Sequence, residues 1–125
     1  MRVLLDTHVF LWAVTGVPSL KPPARRLIEG ADAVFVSSAS VWEIAIKAGL
    51  GRIDAGPDLL VPAIEASGFI ELTVTASHAA RVAHLPRHHG DPFDRLLIAQ
   101  AVSEPMHLLT ADRALLKYSE LVRLV

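Results

Sequence analysis

Apolar residues in this chain fall into two spacings that take turns from end to end. Short, nearly continuous apolar runs at residues 2–5, 33–36, 69–74, 107–110 and 121–125 have the length and make-up of strands. Between them apolar positions return every third or fourth residue, the spacing of one helix face. Helices are predicted on residues 9–13, broken by Gly16-Val17-Pro18, and on 24–29 after Pro22-Pro23, stopped by Gly30. The next covers 41–48 and ends near Gly49 and Gly51, with N-cap candidates among Ser37, Ser38 and Ser40. Another starts at Pro57-Asp58 and stops at Gly68, and one runs from Thr75-Ala76-Ser77 to about Leu85 before Pro86. A short helix is predicted on 112–118, ahead of the last strand. Alternation with short connections predicts an α/β fold, with a mostly parallel sheet covered by helices on both faces. In such sheets ligands collect beyond the carboxyl ends of the strands, where the strand order reverses.

Residues 90–101, Gly-Asp-Pro-Phe-Asp-Arg-Leu-Leu-Ile-Ala-Gln-Ala, open a further helix that Glu104-Pro105 closes. Asp91 suits the N-cap and Pro92 the first helical position, where no N–H is needed. The apolar run 96–99 predicts a buried helix, so Asp94 sits at its mouth. A carboxylate there gains from the helix N-terminus but still needs a partner, water or a cation. Both aspartates can be simple caps, or Asp94 can face a ligand.

Composition narrows the class. The chain has 125 residues, 52% of them hydrophobic, and a mean hydropathy of +0.42. That fits one domain with a two-sided buried sheet, or an apolar partner surface, and excludes disorder. Twelve Lys and Arg against thirteen Asp and Glu leave a net charge of −1, so nucleic acid must be met by a local patch. The absence of cysteine excludes disulfides, thiolate metal sites and cysteine nucleophiles. Asp6 and His8 interrupt the N-terminal apolar run, which argues against a signal peptide, and no run is long enough to span a membrane. A cytoplasmic location is the expectation.

Asp6 closes the first strand, Asp112 follows the strand ending at Thr110, and Glu43 and Asp94 lie near helix starts. In a parallel sheet all four can project to one edge. Four gathered acids repel one another unless cations or raised pKa values relieve them. An all-oxygen set suits Mg2+ or Mn2+, ions able to polarise a phosphodiester and activate water. Each acid also has a plainer reading: Asp6 and Asp112 as caps, Glu43 as an exposed i,i+4 pair with Lys47.

The stretches Leu4-Leu5-Asp6-Thr7-His8 and Ser40-Val41-Trp42-Glu43-Ile44-Ala45-Ile46-Lys47 resemble the PIN-domain toxins of the VapC family. Residues 88–101, beginning His-His-Gly-Asp-Pro-Phe-Asp-Arg, resemble a subgroup marked by an HHxDPFDR-type motif, and Leu109-Thr110-Ala111-Asp112 resembles the family's final acidic motif. The resemblance spans essentially the whole chain. It implies a single PIN domain over residues 1–125 with an α/β/α sandwich, and a Mg2+- or Mn2+-dependent endoribonuclease acting as the toxin of a toxin–antitoxin pair. Carried over, Asp6, Glu43, Asp94 and Asp112 form the catalytic quartet. Asp6, Asp94 and Asp112 become metal ligands, while Glu43 acts through water or a second ion. Thr7 and Thr110 flank acids and can orient them. The implied partners are RNA, a VapB-like antitoxin whose C-terminal segment enters a groove between early helices, and a second copy in a homodimer.

His88 and His89 read as loop residues or RNA contacts, and His8 as a helix-start residue or general base. Lys47, Arg87, Arg95 and Arg113 form the candidate local patch for RNA phosphates, with Lys47 and Arg95 alternatively pairing with Glu43 and Asp94. Trp12 and Trp42, with Phe10, Leu11 and Ile46, are expected mostly in the core. A haloacid-dehalogenase-like phosphatase needs a second Asp where His8 stands, and a receiver domain needs an acidic pair near the first strand and a late Lys; neither pattern is met. A non-catalytic PIN-like module that only binds partners or RNA is the alternative function.

Overall fold

The computed structural model describes residues 1–125. Five strands, β1 (Arg2–Leu5), β2 (Ala33–Ser37), β3 (Ile70–Leu72), β4 (His107–Thr110) and β5 (Val122–Leu124), form one sheet in the order β3-β2-β1-β4-β5. Every pairing is parallel. Helices α1 (Thr7–Thr15), α2 (Pro22–Glu29), α3 (Ser38–Gly49), α4 (Pro57–Ala66), α5 (Ala76–Arg81) and α6 (Pro92–Ser103) make up the connections. The result is the three-layer α/β/α sandwich expected from the alternation.

The period of two along the strands decides which layer each side chain joins. Val3 and Leu5 of β1, Val34 and Val36 of β2 and Leu109 of β4 pack with Val9, Phe10, Ile28, Ile44, Leu60 and Ile64 from α1 to α4. Leu4 and Leu108, pointing the other way, pack with Leu97, Ile98 and Ala101 of α6 and with Leu115 and Val122. Val3, Leu4 and Leu5 are all fully buried, as a central parallel strand requires.

Three elements differ from the expectation drawn from spacing. The third strand keeps only three residues and Ile70 is exposed, because β3 is a sheet edge with one partner strand. The fifth helix is shorter, passing into a 3-10 turn at Val82–His84, and the segment after Asp112 is a 3-10 turn, Arg113–Lys117. Trp42 and Ile46, expected in the core, are 61% and 40% exposed; the buried stripe of α3 is instead Ala39, Ser40, Glu43 and Ile44. α3 thus turns a carboxylate inward and an indole outward.

Candidate active site

Strand order reverses between β1, whose chain continues to β2 on one side, and β4 on the other. The crevice of such a sheet opens at that point, beyond the carboxyl ends. Asp6 stands there as the residue after β1. Its N–H extends the ladder by donating to the Leu109 carbonyl at 3.0 Å, which fixes the backbone. Its side chain is the N-cap of α1, with Oδ1 accepting from Val9 N at 2.8 Å, while Oδ2 accepts from the Thr110 hydroxyl. Thr110 Oγ1 in turn accepts from Asp112 N at 3.1 Å. Asp6 is 7% exposed. Burial pushes its pKa above the ordinary value; the Thr110 and Val9 hydrogen bonds and nearby His8 pull back, and the charge of Glu43 pushes further up.

Glu43 projects from the inner face of α3 and is 4% exposed. Thr7, one residue past Asp6, donates to Glu43 Oε1 at 2.6 Å and touches the Ser40 hydroxyl at 3.1 Å. Oε2 is paired with Lys47, one turn along. The i,i+4 pair is therefore real, but its acid is buried rather than on an exposed face.

Asp94 enters from the other layer, in the first turn of α6. Asp91 caps that helix by accepting from Asp94 N at 3.0 Å, so the cap and the acid are rigidly joined. Asp94 Oδ2 lies 3.3 Å from His89 Nε2, and Oδ1 makes no hydrogen bond to protein. Its pKa is pushed up to about 6, first by burial, then by the charges of Asp91, Asp6 and Glu43, with the His89 contact pulling down. Asp6, Glu43 and Asp94 therefore share one field.

Asp112 is linked to Asp6 through Thr110, whose hydroxyl oxygen accepts from Asp112 N while donating to Asp6. It is exposed, and its Oδ1 caps the following 3-10 turn by accepting from Ala114 N at 2.9 Å. No three His, Asp or Glu side chains are arranged as a metal cage. The donor chemistry nevertheless fits a hard divalent cation: three clustered carboxylates, no thiolate in the chain, and one Asp94 oxygen without a protein partner.

Thr7 and Thr110 do orient acids, but not the ones they flank: Thr7 donates to Glu43 and Thr110 to Asp6. Arg95 takes neither of its expected roles; its guanidinium is spent on the carbonyls of Pro86 and Val82 and on the Tyr118 hydroxyl. Arg87 and Arg113 remain exposed. Spacing gave no sign of Ser40 beside Thr7, or of Tyr118 against His89, since those contacts join segments 33 and 29 residues apart. A separate cavity of about 360 Å³, bordered by Leu20, Ile28, Ala33 and Phe69, opens at the amino ends of the strands, away from the acids.

Comparison with known proteins gives a consistent picture. A family model described as PIN domain matches residues 3–121. The chain is 35% identical over 119 residues to Ribonuclease VapC22 of Mycobacterium tuberculosis, covering 90% of this chain and 88% of that protein. It resembles the structure of VapBC2 from Rickettsia felis bound to a promoter DNA fragment, with TM-score 0.69 and 15% identity over 100% of this chain and 98% of that one. DNA-bound VapBC from Salmonella typhimurium gives 0.67 and 18%, over 100% and 97%. At those identities the structural likeness is one of fold.

Proposed function

The chain belongs to the PIN-domain family as a homologue of VapC ribonucleases, and on that premise we propose that it is a divalent-cation-dependent endoribonuclease, the toxin of a toxin–antitoxin pair. The observation that carries the reading is the convergence of Asp6, Glu43 and Asp94 at the sheet's switch point, where each acid raises the charge burden on another. Such an arrangement is unfavourable for folding and makes sense as a site built to receive positive charge.

Asp6 and Asp94 are the residues that would hold Mg2+ or Mn2+. Asp112, two residues past β4, caps with Oδ1 alone, so its Oδ2 is the oxygen that would serve as a further ligand. When bound, the ion supplies charge neutralisation at a phosphodiester and acidifies a water. The protein's own part is orientation. Thr110 and Val9 N hold Asp6 by both oxygens, and Thr7 and Lys47 hold Glu43 by both of its own, so neither carboxylate turns away. Lys47 also balances the Glu43 charge where the site meets solvent. Exposed Arg87 and Arg113 are the candidate contacts for RNA phosphates, with Arg95 removed from that patch.

An apolar stripe supports a protein partner. Trp42 and Ile46 of α3 and its C-cap Leu50 recur at i, i+4 and i+8, and Leu59 is 76% exposed on α4. VapBC complexes among the structural neighbours support a VapB-like antitoxin as an occupant, and a second copy of the chain suits the same kind of surface. The cysteine-free chain, in which no helix is long and apolar enough to cross a membrane, is compatible with a cytoplasmic setting.

A non-catalytic binding module is the second reading. It draws on the absence of a ready metal cage and on the full hydrogen bonding of Asp6 and Glu43. Incubation of purified protein with RNA separates the two. The nuclease reading expects cleavage with Mg2+ or Mn2+ that disappears with EDTA and in Asp94→Asn. Equal cleavage by wild type and Asp94→Asn, or none by wild type freed of antitoxin, overturns it.

A further inference from the structure

The loop before α6 carries a connected set of side chains that ends on Asp94. Tyr118, the chain's one tyrosine, stands at its centre. Its hydroxyl oxygen accepts from His89 N at 3.1 Å and from an Arg95 guanidinium N–H at 3.1 Å. It lies 2.7 Å from His89 Nδ1 and 3.3 Å from the His89 carbonyl. The ring is held edge-on by His88 at 4.8 Å between centroids, with the Arg95 guanidinium carbon 5.8 Å from its centroid. On the far side of the His89 ring, Nε2 is 3.3 Å from Asp94 Oδ2.

Counting donors and acceptors fixes the imidazole. A phenol offers one proton and two lone pairs. Two N–H groups already occupy both lone pairs of Tyr118, so its oxygen has none left for an Nδ1–H. The one phenol proton has two acceptors within reach, the His89 carbonyl at 3.3 Å and Nδ1 at 2.7 Å, and the shorter contact assigns it to Nδ1, which leaves that nitrogen bare. The single ring proton of a neutral imidazole then sits on Nε2, the atom facing Asp94. Donation from Arg95 polarises the phenol and strengthens its own donation to Nδ1.

We infer that His89 is a positioning residue for Asp94: Tyr118, held by Arg95, sets the tautomer in which His89 Nε2–H grips Oδ2 of the carboxylate and leaves Oδ1 free for a cation. The inference rests on the nuclease reading for its purpose, but the tautomer itself does not. Partners that orient a ligand in this way commonly change metal affinity by about 10–100-fold when removed. The relay also gives His88, His89 and Arg95 one shared task that involves no contact with RNA.

Two measurements test it. In metal-free, 15N-labelled protein at a pH where the ring is neutral, long-range 1H–15N correlations should show His89 with a protonated Nε2 and a bare Nδ1, and Tyr118→Phe should admit the other tautomer. A wild-type His89 protonated on Nδ1, or a tautomer untouched by Tyr118→Phe, overturns the inference. In the second measurement, titration with Mn2+ should show His89→Ala binding at least roughly tenfold more weakly than wild type. His89→Gln, whose amide N–H can replace Nε2–H, should recover most of that loss, which a role in loop folding alone does not predict. Equal Mn2+ affinity in wild type and His89→Ala overturns the positioning role. A wild type that binds no Mn2+ removes the purpose and defeats the nuclease reading, while the correlation spectrum still decides the tautomer.

Discussion

At the scale of single residues, Asp94 carries the greatest conflict between stability and use. Its pKa stands at about 6 in the fold against 3.8 for an unperturbed aspartate, so the folded state holds its proton more tightly than the unfolded state. Stability from this group is complete below pH 3.8 and is lost as pH rises through about 6. At 1.36 kcal/mol per unit the shift is worth roughly 3 kcal/mol before screening, and for this part-exposed carboxylate the cost to the metal-free protein at neutral pH is on the order of 1–2 kcal/mol. Asp94→Asn should therefore raise the metal-free unfolding midpoint at pH 7 while abolishing cleavage, and the gain should vanish near pH 4. An Asn variant no more stable than wild type at pH 7 would contradict this. Thr110→Val tests the neighbouring acid: without the hydroxyl donor, Asp6 loses a bond that opposes its burial. About 1–3 kcal/mol of stability should go, as the cost of a buried group left unpaired, together with about a tenfold or greater fall in RNA cleavage. Both are read by denaturant unfolding and initial rates.

At the scale of elements, α6 is the rigid mount. Leu97, Ile98, Ala99 and Ala101 are essentially inaccessible, so the helix cannot slide without opening the core between sheet and outer layer. Leu97→Ala should cost about 2–5 kcal/mol in denaturant unfolding, the range for large-to-small changes in a closed core. Asp91 acts on the same helix in two opposed ways. It caps α6, worth about 1 kcal/mol, and its charge raises the Asp94 pKa. Asp91→Asn keeps the cap acceptor and removes the charge, so the Asp94 titration followed by NMR should move down with little loss of stability. Asp91→Ala should give the same titration shift and lose the cap. The helix and its cap were legible in the order Asp-Pro followed by an apolar run, because capping and helical spacing are local properties. The 3-10 turn after Asp112 was not, because five residues with one buried anchor, Leu115, satisfy either helix type.

At the scale of the molecule, the exposed stripe on α3 and α4 is more apolar than the fold needs. Ile46→Glu and Leu59→Glu change side chains that are 40% and 76% exposed, so monomer stability should stay within about 0.5 kcal/mol. Assembly is where the loss should appear, as weaker binding of the cognate antitoxin or a smaller species in light scattering. A doubly charged variant that still assembles as wild type would move the partner surface elsewhere. Divalent ions act on the whole fold through linkage: Mn2+ in excess should raise the wild-type unfolding midpoint and leave Asp94→Asn nearly unmoved.

The sequence alone determined the alternation of strand and helix, the three-layer class, and the presence of acids just past the strands, because spacing, capping and strand length are short-range. It also marked Thr7 and Thr110 by their nearness to Asp6 and Asp112, though the acids they hold, Glu43 and Asp6, come from elsewhere in the chain. Tertiary structure decided the rest. Parallel pairing of β1 with β4 brings Thr110 to Asp6 across 104 residues of chain, and the turn after β4 meets the loop before α6 to set Tyr118 against His89 across 29. Packing decided which side of α3 faces inward: a helical stripe with apolar residues on both flanks reads the same from either side, and the face carrying Ala39 and Ile44 entered the core, where the Thr7 hydroxyl meets Glu43. The same packing left Trp42 outside, took Arg95 from the surface patch to hold a tyrosine, and gathered Asp6, Glu43 and Asp94. Which acids meet is a matter of sheet register and loop closure, and neither is written in the spacing of a single segment.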